Sequence, residues 1–326
     1  MNNNWTIEKL SLDLYFKCLK MKLTYYILFA FWYLLSLLPL CVLYFISDFI
    51  LYPLLYHVAK YRKKVVRQNL LSSFPEKPLQ EIKKIERDFF HFLADYMVET
   101  IKFFSMSEKQ IKRRMTFGGV DAVADAMEKE GKNFCFLYLG HYCNWEWIAS
   151  IPCWCPEGVT SGQIYHPLYN KAMDKLFLYL RNRFGSESIG MKETLRRIIE
   201  LKRTKQKMII GFISDQTPKW NSIHHWCDFL NHDTPVFIGT EKIGKQVDAL
   251  IYFGEVKRVK RGYYHCELKP LTHDAKSVPD YELTDRFTLL LENIIKENPG
   301  FWLWSHKRWK RTKEEWIRRQ QEQKKK

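Results

Sequence analysis

The eight cysteines of this 326-residue chain include no Cys-x-x-Cys pair and lie scattered from Cys18 to Cys266. The chain thus lacks the Cys-x-x-Cys spacing on which the common zinc and dithiol motifs are built. A chain of this length can bury a hydrophobic core without disulfide bonds. The sequence therefore predicts reduced thiols and a main domain in the cytoplasm.

Acidic residues are also few: 36 Asp and Glu stand against 52 Lys and Arg, which gives a formal net charge of +16. A field of this sign attracts anionic partners such as nucleic acid, acidic lipid, phosphorylated substrates or acidic proteins. Residues 307–326 carry ten basic and three acidic side chains, so +7 of the charge lies at this end. We predict a basic C-terminal tail, residues 311–326, which either extends into solvent or contacts an anionic membrane.

Charged residues and histidine are absent from residues 23–47, a run of 25 residues. As an α-helix this run would reach roughly 37 Å, more than the ~30 Å hydrocarbon core of a bilayer. Its end is bulky, unlike a signal-peptide cleavage site, so residues 1–57 are predicted to be an uncleaved membrane anchor. Pro39 should kink the helix. Basic residues flank both ends, so a single span and a re-entrant hairpin both remain open.

After this anchor, stretches of helical periodicity alternate with short apolar runs. Residues 134–139 and 208–213 predict two buried strands. The other predicted elements are helices over residues 77–104, 169–184, 191–203 and 281–296, and strands over residues 163–165, 250–256 and 263–268, the last two joined by a basic turn. This alternation predicts an α/β fold, a mostly parallel sheet flanked by helices, in a domain over residues 58–310.

The sharpest local motif is Gly-His-Tyr-Cys-Asn-Trp-Glu-Trp at residues 140–147, directly after the first buried strand. Sites in open α/β sheets lie at the carboxyl ends of strands. Glu146 could hold the ring of His141 in one tautomer, which leaves the other ring nitrogen to take a proton from a hydroxyl. Both residues could equally be structural, as a turn histidine and a carboxylate at a helix N-terminus. Asn144 is expected to cap the following helix.

This octapeptide resembles the His-x4-Asp/Glu motif of the lysophospholipid acyltransferase superfamily, and its form is similar to that of the bacterial lipid A late acyltransferases. Further blocks resemble that family in the same order, at residues 67–76, 165–170, 183–185, 214–216, 234–235 and 302–310. The resemblance runs from the anchor to about residue 310. Two positions depart from the pattern: Glu146 stands where much of the superfamily has Asp, and His166 stands where a cation such as Arg is expected.

The resemblance implies a glycerolphosphate acyltransferase-like fold and an O-acyltransferase mechanism without a metal or another cofactor. His141 would deprotonate the acceptor hydroxyl, which attacks the donor thioester, and Glu146 would orient His141. The acceptor's phosphates would be held by basic side chains, for which the candidates are Arg183, Lys307 and Arg308. Asp215 and Gln216 would build the wall of the cleft or form a structural turn.

The resemblance further implies a lipid A precursor or related glycolipid as acceptor and acyl carrier protein as donor. The location would be the bacterial inner membrane, with the catalytic domain on the cytoplasmic side. An acyltransferase for another lipid, such as a phospholipid or amino-acid lipid, remains open. A basic membrane-surface or nucleic-acid-binding protein is a more distant alternative, and the anchor and the two buried strands favour an enzyme that binds no nucleic acid. The oligomeric state is not predicted.

Two further clusters have an expected role. His224, His225, Cys227, Asp228 and His232 have the composition of metal ligands, but their spacing is not a standard zinc pattern, so we interpret them as loop residues. The basic segment 257–261 is expected to form a turn that contacts an acidic carrier protein or lies on the membrane.

Overall fold

The computed structural model describes residues 3–324, with side chains from residue 19 to residue 322. The helices are α1 Asn3–Leu37, α2 Leu40–Ile46, α3 Lys63–Ser73, α4 Leu79–Phe103, α5 Glu108–Arg114, α6 Val120–Lys129, α7 Lys171–Asn182, α8 Thr194–Arg203, α9 Gly239–Val247, α10 Glu282–Glu297 and α11 Lys313–Lys324. The strands are β1 Met115–Gly118, β2 Phe134–Leu139, β3 Val159–Tyr165, β4 Glu187–Gly190, β5 Lys207–Ile213, β6 Trp226–Asp228, β7 Asp233–Pro235, β8 Leu250–Lys260 and β9 Tyr263–Thr272.

Within the described residues, seven strands form one sheet in the order β1-β9-β8-β2-β5-β3-β4, and β6 pairs with β7 separately. All neighbours in the large sheet run parallel except β8 and β9. The predicted α/β class and mostly parallel sheet are confirmed. Every residue of β2 is buried, as expected of a central parallel strand with helices over both faces of its sheet.

Strand β8 continues past its predicted end and closes through a short turn at Arg261 and Gly262. The predicted basic turn is therefore wrong in its position, because most of the segment 257–261 is strand. Arg261 pairs with Asp48 at 2.8 and 2.6 Å and with Asp95 at 2.9 Å. Arg258 also reaches Asp95, at 3.1 Å. These arginines are thus occupied by internal ion pairs.

The N-terminal region is divided at Pro39. Helix α1 ends at Leu37 and α2 begins at Leu40, which confirms the predicted break. Lys102 donates to the carbonyl oxygens of Ser36 and Leu38 at 2.8 and 3.0 Å, and so satisfies backbone acceptors that a helix end leaves free. Because of this break, the uncharged run 23–47 does not form one continuous helix.

Helix α2 continues through two π-helical turns, Ser47–Leu51 and Leu54–Val58. By length and composition alone, Leu40–Val58 is the one helical segment within residues 3–324 that could cross a membrane. The candidate segment therefore starts later than the run that the sequence singles out. It packs along α4, which is amphipathic and buries Phe89 and Phe92 against the core.

The C-terminal tail is ordered as helix α11 where the sequence allows a solvated end. Trp316 packs against Trp226 with ring centroids 6.1 Å apart, and the guanidinium of Arg319 lies 4.6 Å from the ring of Trp220. Two aromatic contacts thus hold the basic segment on the domain. Residues 325 and 326 lie outside the described residues.

Candidate active site

The site forms where two neighbouring parallel strands end. Leu139 of β2 and Ile213 of β5 are paired in register, and the chain leaves both strands at the same edge of the sheet. His141 and Asp215 follow these paired residues by the same number of positions, so their side chains meet. His141 Nδ1 lies 2.5 Å from Asp215 Oδ1, and the backbone N–H of His141 donates to Asp215 Oδ2 at 2.8 Å.

Asp215 is a buried carboxylate that accepts a third hydrogen bond, from Trp302 Nε1 at 2.8 Å. Burial alone would raise its pKa, but the charge and hydrogen bonds of His141, together with Trp302, outweigh burial and lower the pKa of Asp215 to about 2. Asp215 is therefore ionised at neutral pH and needs a donor at its oxygens. The proton of a neutral His141 then lies on Nδ1, which leaves a lone pair on Nε2.

Gln216 covers that lone pair. Its Nε2 lies 3.2 Å from His141 Nε2 and acts as the donor in this tautomer. The ring of His141 is 18 % exposed, so its free nitrogen can be reached from solvent. The sequence expects Asp215 and Gln216 to form a cleft wall or turn, whereas in the structure both contact the imidazole directly.

Glu146 does not supply the orienting hydrogen bond that the sequence predicts; that bond comes from Asp215. Arg181 donates two hydrogen bonds to the carboxylate of Glu146, from Nε at 2.8 Å and from Nη2 at 2.7 Å. The hydroxyl of Tyr96 donates to the same carboxylate at 3.3 Å. Burial would raise the pKa of Glu146, but Arg181 and, more weakly, His141 outweigh burial and lower it. The charge of Glu146 is thus felt by His141, but the hydrogen bonds of Glu146 go to Arg181 of α7.

The backbone of the motif explains this direction. Cys143 adopts a positive φ of 52°, a conformation that is uncommon for a residue with a side chain. Asn144 Oδ1 accepts a hydrogen bond from the N–H of Trp147 at 3.1 Å, where a 3-10 helix Trp147–Trp154 begins, although the N-cap residue of that helix is Glu146 and not the predicted Asn144. The tight loop turns Glu146 towards Arg181 and Tyr96 instead of towards the imidazole.

A second segment holds the motif loop in place. The backbone N–H of Cys143 donates to the carbonyl of Phe301 at 2.9 Å, and the N–H of Leu303 donates to the carbonyl of His141 at 3.2 Å. Tyr142 forms a β-bridge with Trp302. Residues 301–303, distant in sequence, therefore fix the backbone of the loop that carries His141. The same segment supplies the indole of Trp302, which binds Asp215.

Glu99 of α4 lies beneath the loop and is completely buried. It accepts hydrogen bonds from Asn144 at 2.7 Å and from the hydroxyls of Tyr44 and Tyr264 at 2.8 Å each. Burial raises the pKa of Glu99 to about 7 in spite of these donors. One signal could have revealed it: Glu99 follows Phe92 by seven residues, so both lie on the apolar face of α4.

The predicted phosphate-binding residues lie in different environments. Arg183 is half-buried and donates to the carbonyl of Phe103 at the end of α4. Arg308 is only 2 % exposed; it donates Nη2 to the carbonyl of Pro235 at 2.9 Å, and burial lowers its pKa to about 10. Arg308 therefore cannot contact a substrate phosphate in this conformation. Lys307 does line an open cleft of about 660 Å³ beside α3, together with Lys310.

Two further residues near the site are not among the predicted site residues: Arg181, which lies outside every family block, and His306, which lies inside the block at residues 302–310. Arg181 comes two positions before the Arg-Phe-Gly block and reaches Glu146 only because α7 packs beside the motif. His306 lies 3.4 Å from the N–H of Thr217, and burial lowers its pKa to about 4. A neutral imidazole thus adjoins the loop that carries Asp215 and Gln216.

The remaining candidates are explained by local contacts. Burial raises the pKa of the Cys143 thiol, so it is a poor nucleophile. His225 pairs with Asp285 at 2.7 Å, and His232 stacks on Trp309 with ring centroids 4.0 Å apart. Among the side chains that the structure describes, no three His, Cys, Asp or Glu residues are grouped as metal ligands.

An imidazole at the carboxyl edge of a parallel sheet, bonded through Nδ1 to an ionised aspartate and through Nε2 only to the amide of Gln216 among the described residues, has the geometry that general-base chemistry requires. The chain matches the model of the bacterial lipid A biosynthesis acyltransferase family over residues 14–311 and belongs to that family. Membership implies an acyltransferase. A comparison with curated proteins finds no match.

Proposed function

We propose that the protein transfers a fatty acyl chain from an acyl thioester to a hydroxyl of a lipid A precursor or related glycolipid, with His141 as general base. The observation that carries this proposal is how the two ring nitrogens of His141 are bonded. Asp215 holds Nδ1 at 2.5 Å. Among the hydrogen bonds of the described residues, Nε2 contacts only the amide of Gln216, which a substrate can displace. Family membership supplies the acyl-transfer class.

In the proposed reaction, the acceptor hydroxyl displaces the amide of Gln216 from His141 Nε2. Nε2 takes the hydroxyl proton as the oxygen forms a bond to the thioester carbonyl carbon. The tetrahedral oxyanion collapses, the C–S bond breaks, and the imidazolium returns its proton to the leaving thiolate. The products are an ester and a thiol. Asp215 remains ionised throughout and stabilises the imidazolium.

Glu146 and Arg181 have a separate role in this proposal. Glu146 fixes the guanidinium through two parallel hydrogen bonds at 2.8 and 2.7 Å, a geometry that restrains an arginine strongly. The positive charge of Arg181 then stabilises the oxyanion that develops on the thioester carbonyl. Glu146 thereby acts on the reaction through Arg181 and not through the tautomer of His141.

The donor we propose is acyl-acyl carrier protein, and the location is the cytoplasmic face of the bacterial inner membrane. Carrier proteins are acidic, and the net charge of +16 favours their approach. Because Arg258 and Arg261 are engaged in internal ion pairs, the basic surface we assign to the carrier protein is the cleft with Lys307 and Lys310.

The test is mass spectrometry of a phosphorylated glycolipid acceptor incubated with the purified protein and an acyl thioester. The wild type should add the mass of one acyl chain. His141→Ala should lower the rate by about 10²–10⁴-fold because the base is lost. His224→Ala, at an exposed loop histidine, is the matched control and should keep the wild-type rate. A His141→Ala variant that retains most of the activity would contradict the proposal.

A further inference from the structure

The loop that carries His141 turns through a strained residue and is held from two sides. Cys143 has a positive φ of 52°, and a residue with a side chain keeps such a conformation only where its surroundings fix it. On one side, the backbone of Phe301 and Leu303 holds the loop. The contacts on the other side come from helix α4, so the place of the imidazole depends on both sets.

Glu99 supplies the contacts from α4, at two points of the loop. Its Oε2 accepts from Nδ2 of Asn144 at 2.7 Å, and its backbone carbonyl accepts from Nε1 of Trp147 at 3.1 Å. Because Asn144 Oδ1 also accepts from the N–H of Trp147, both ends of this amide are fixed. Asn144 lies between His141 and Glu146 in the motif, so Glu99 holds the middle of the loop.

The carboxylate of Glu99 is an unfavourable group to bury, and it is completely buried. Its three side-chain donors come from three different elements. Asn144 belongs to the motif loop, and the hydroxyls of Tyr44 of α2 and Tyr264 of β9 each donate at 2.8 Å. An apolar side chain of similar size would fill the space but would leave three buried donors without an acceptor. This position therefore provides an acceptor as well as packing.

The contact with Asn144 is compatible with either protonation state of Glu99. Oε2 accepts from Asn144 and Tyr264, whereas Oε1 contacts only the hydroxyl of Tyr44 among the hydrogen bonds of the described residues. A proton on Oε1 is donated to that hydroxyl oxygen and leaves Oε2 as an acceptor. Burial raises the pKa of Glu99 to about 7, so both forms are present near neutral pH. The other titratable side chains that face Glu99 are Tyr44, Tyr264, Asp95 and Cys143.

We propose that Glu99 is a positioning residue of the active site, which acts through Asn144 to fix the place of His141. The proposal rests on the proposed function for the reaction that this position serves. Glu99 lies beneath the loop and does not touch a substrate. Without its acceptor the loop can relax at Cys143 and shift the imidazole, and a displacement of about 1 Å can lower a rate by about 10²-fold.

The kinetic test uses two substitutions in the purified full-length protein in detergent. Glu99→Gln keeps an acceptor for Asn144 and imitates the protonated side chain, so kcat and KM should stay close to the wild-type values. Glu99→Leu removes the acceptor, so kcat per folded molecule should fall by about 10²-fold while KM is unchanged. The folded fraction is measured by thermal unfolding. A kcat of wild-type size in Glu99→Leu would overturn the proposal.

Glu86→Leu is the matched control. Glu86 lies on the same helix, is equally buried and binds Arg67 of α3 at 2.7 Å, without contact to the motif loop. This variant should lose stability and keep its kcat per folded molecule. An equal fall of kcat in Glu86→Leu and Glu99→Leu would show a general effect of buried carboxylates on the fold and would overturn the proposal.

Hydrogen exchange of the same proteins measures the loop without the use of activity. The N–H groups of Cys143 and Leu303 donate across the loop, and in Glu99→Leu they should exchange about tenfold faster or more because the loop opens more easily. Both should keep the wild-type rate in Glu99→Gln and Glu86→Leu. Unchanged exchange in Glu99→Leu would overturn the proposal.

Asn144→Ala removes the same hydrogen bond from the other side and serves if Glu99→Leu does not fold. It should show the same loss of kcat and the same faster exchange, and a wild-type kcat in this variant would contradict the role of Glu99. Faster exchange in Glu99→Leu, in a protein whose wild type transfers no acyl group, would leave the hold of Glu99 on the loop standing. That result would contradict the proposed function alone.

Discussion

At the scale of single residues, the two carboxylates around His141 differ in what surrounds them. Asp215 accepts from the imidazole, a backbone N–H and an indole, whereas Glu146 accepts from the fork of Arg181. Both lose hydration on burial, and both have a lowered pKa because of their partners. The carboxylate that contacts His141 is therefore Asp215, and Glu146 balances the charge of Arg181.

Substitution of each carboxylate by its amide should separate these roles. Asp215→Asn keeps the shape and an acceptor for Trp302 but removes the charge that stabilises the imidazolium, so kcat should fall by about 10²–10⁴-fold while the thermal midpoint changes little. Glu146→Gln leaves the mostly buried Arg181 without its counter-charge, which should cost about 3–5 kcal/mol of stability as well as activity. The measurements are kcat with a saturating donor and thermal unfolding in detergent.

His141→Ala is the reference for both. If Asp215→Asn were as active as the wild type while Glu146→Gln retained its stability and lost its activity, the direct partner of the base would be Glu146 instead. Such a result would require the motif loop to rearrange when substrate binds.

At the scale of elements, α4 joins the N-terminal region, the sheet and the motif loop. It carries three buried carboxylates, and each binds a different element: Glu86 meets Arg67 of α3, Asp95 meets Arg261 after β8, and Glu99 meets Asn144 of the motif. Buried carboxylates require such partners, because an isolated buried charge is costly. One helix thus links the segment Leu40–Val58 to the loop that carries His141.

The pH dependence of the free energy of unfolding should reveal the titration of Glu99. Its pKa is raised to about 7 in the fold against 4.5 for a glutamate carboxyl in water, so the folded state binds more protons than the unfolded state between these values. The free energy of unfolding should therefore fall as pH rises from about 4.5 to about 7, by about 3 kcal/mol from this group. Below about 4.5 the contribution is complete.

Glu99→Gln should flatten this part of the curve, measured by denaturant unfolding at a series of pH values. The low pKa of Asp215 acts in the opposite direction and at lower pH, so the two contributions occupy different windows. An identical slope in the variant and the wild type between pH 4.5 and 7 would show that Glu99 does not titrate there.

At the scale of the whole molecule, the N-terminal region is part of the folded domain. Tyr44, Ser47 and Asp48 supply partners to buried groups of α4 and to Arg261. Removal of this region therefore affects more than membrane attachment.

Deletion of residues 1–57 should lower the thermal midpoint by about 10 °C, because it leaves Asp95, Glu99 and Arg261 without these partners. Deletion of residues 1–22 is the control, since it keeps every one of those contacts and should leave the midpoint unchanged. The measurement is differential scanning fluorimetry in detergent. Equal midpoints for the two truncated proteins would show that the contacts contribute little to stability.

The choice of acyl donor depends on the charge distribution of the whole molecule. If acyl-acyl carrier protein is the donor, kcat/KM should fall steeply with salt, because association between a +16 protein and an acidic partner is steered over a broad surface. Lys307→Glu with Lys310→Glu should weaken use of the carrier protein more than use of acyl-coenzyme A. Lys276→Glu, on an exposed loop, is the matched control. Better use of acyl-coenzyme A, with a flat salt response for the carrier protein, would reject this donor.

The sequence by itself determined the features that depend on neighbouring residues. The buried strands at residues 134–139 and 208–213, the break at Pro39 and the place of His141 after a strand follow from local apolar pattern and backbone chemistry. The family motifs indicated the class of enzyme by residue order alone, and the family match confirms that class.

Only the tertiary structure decided which side chains meet. Asp215 reaches His141 because β5 lies beside β2 in the sheet, Arg181 reaches Glu146 because α7 packs by the motif, and burial removes Arg308 from solvent. The segment Leu40–Val58 has the composition of a span, and its attachment to α4 depends on Arg261, 213 positions after Asp48. Contacts across such distances depend on the packing order of whole elements, which local pattern does not contain.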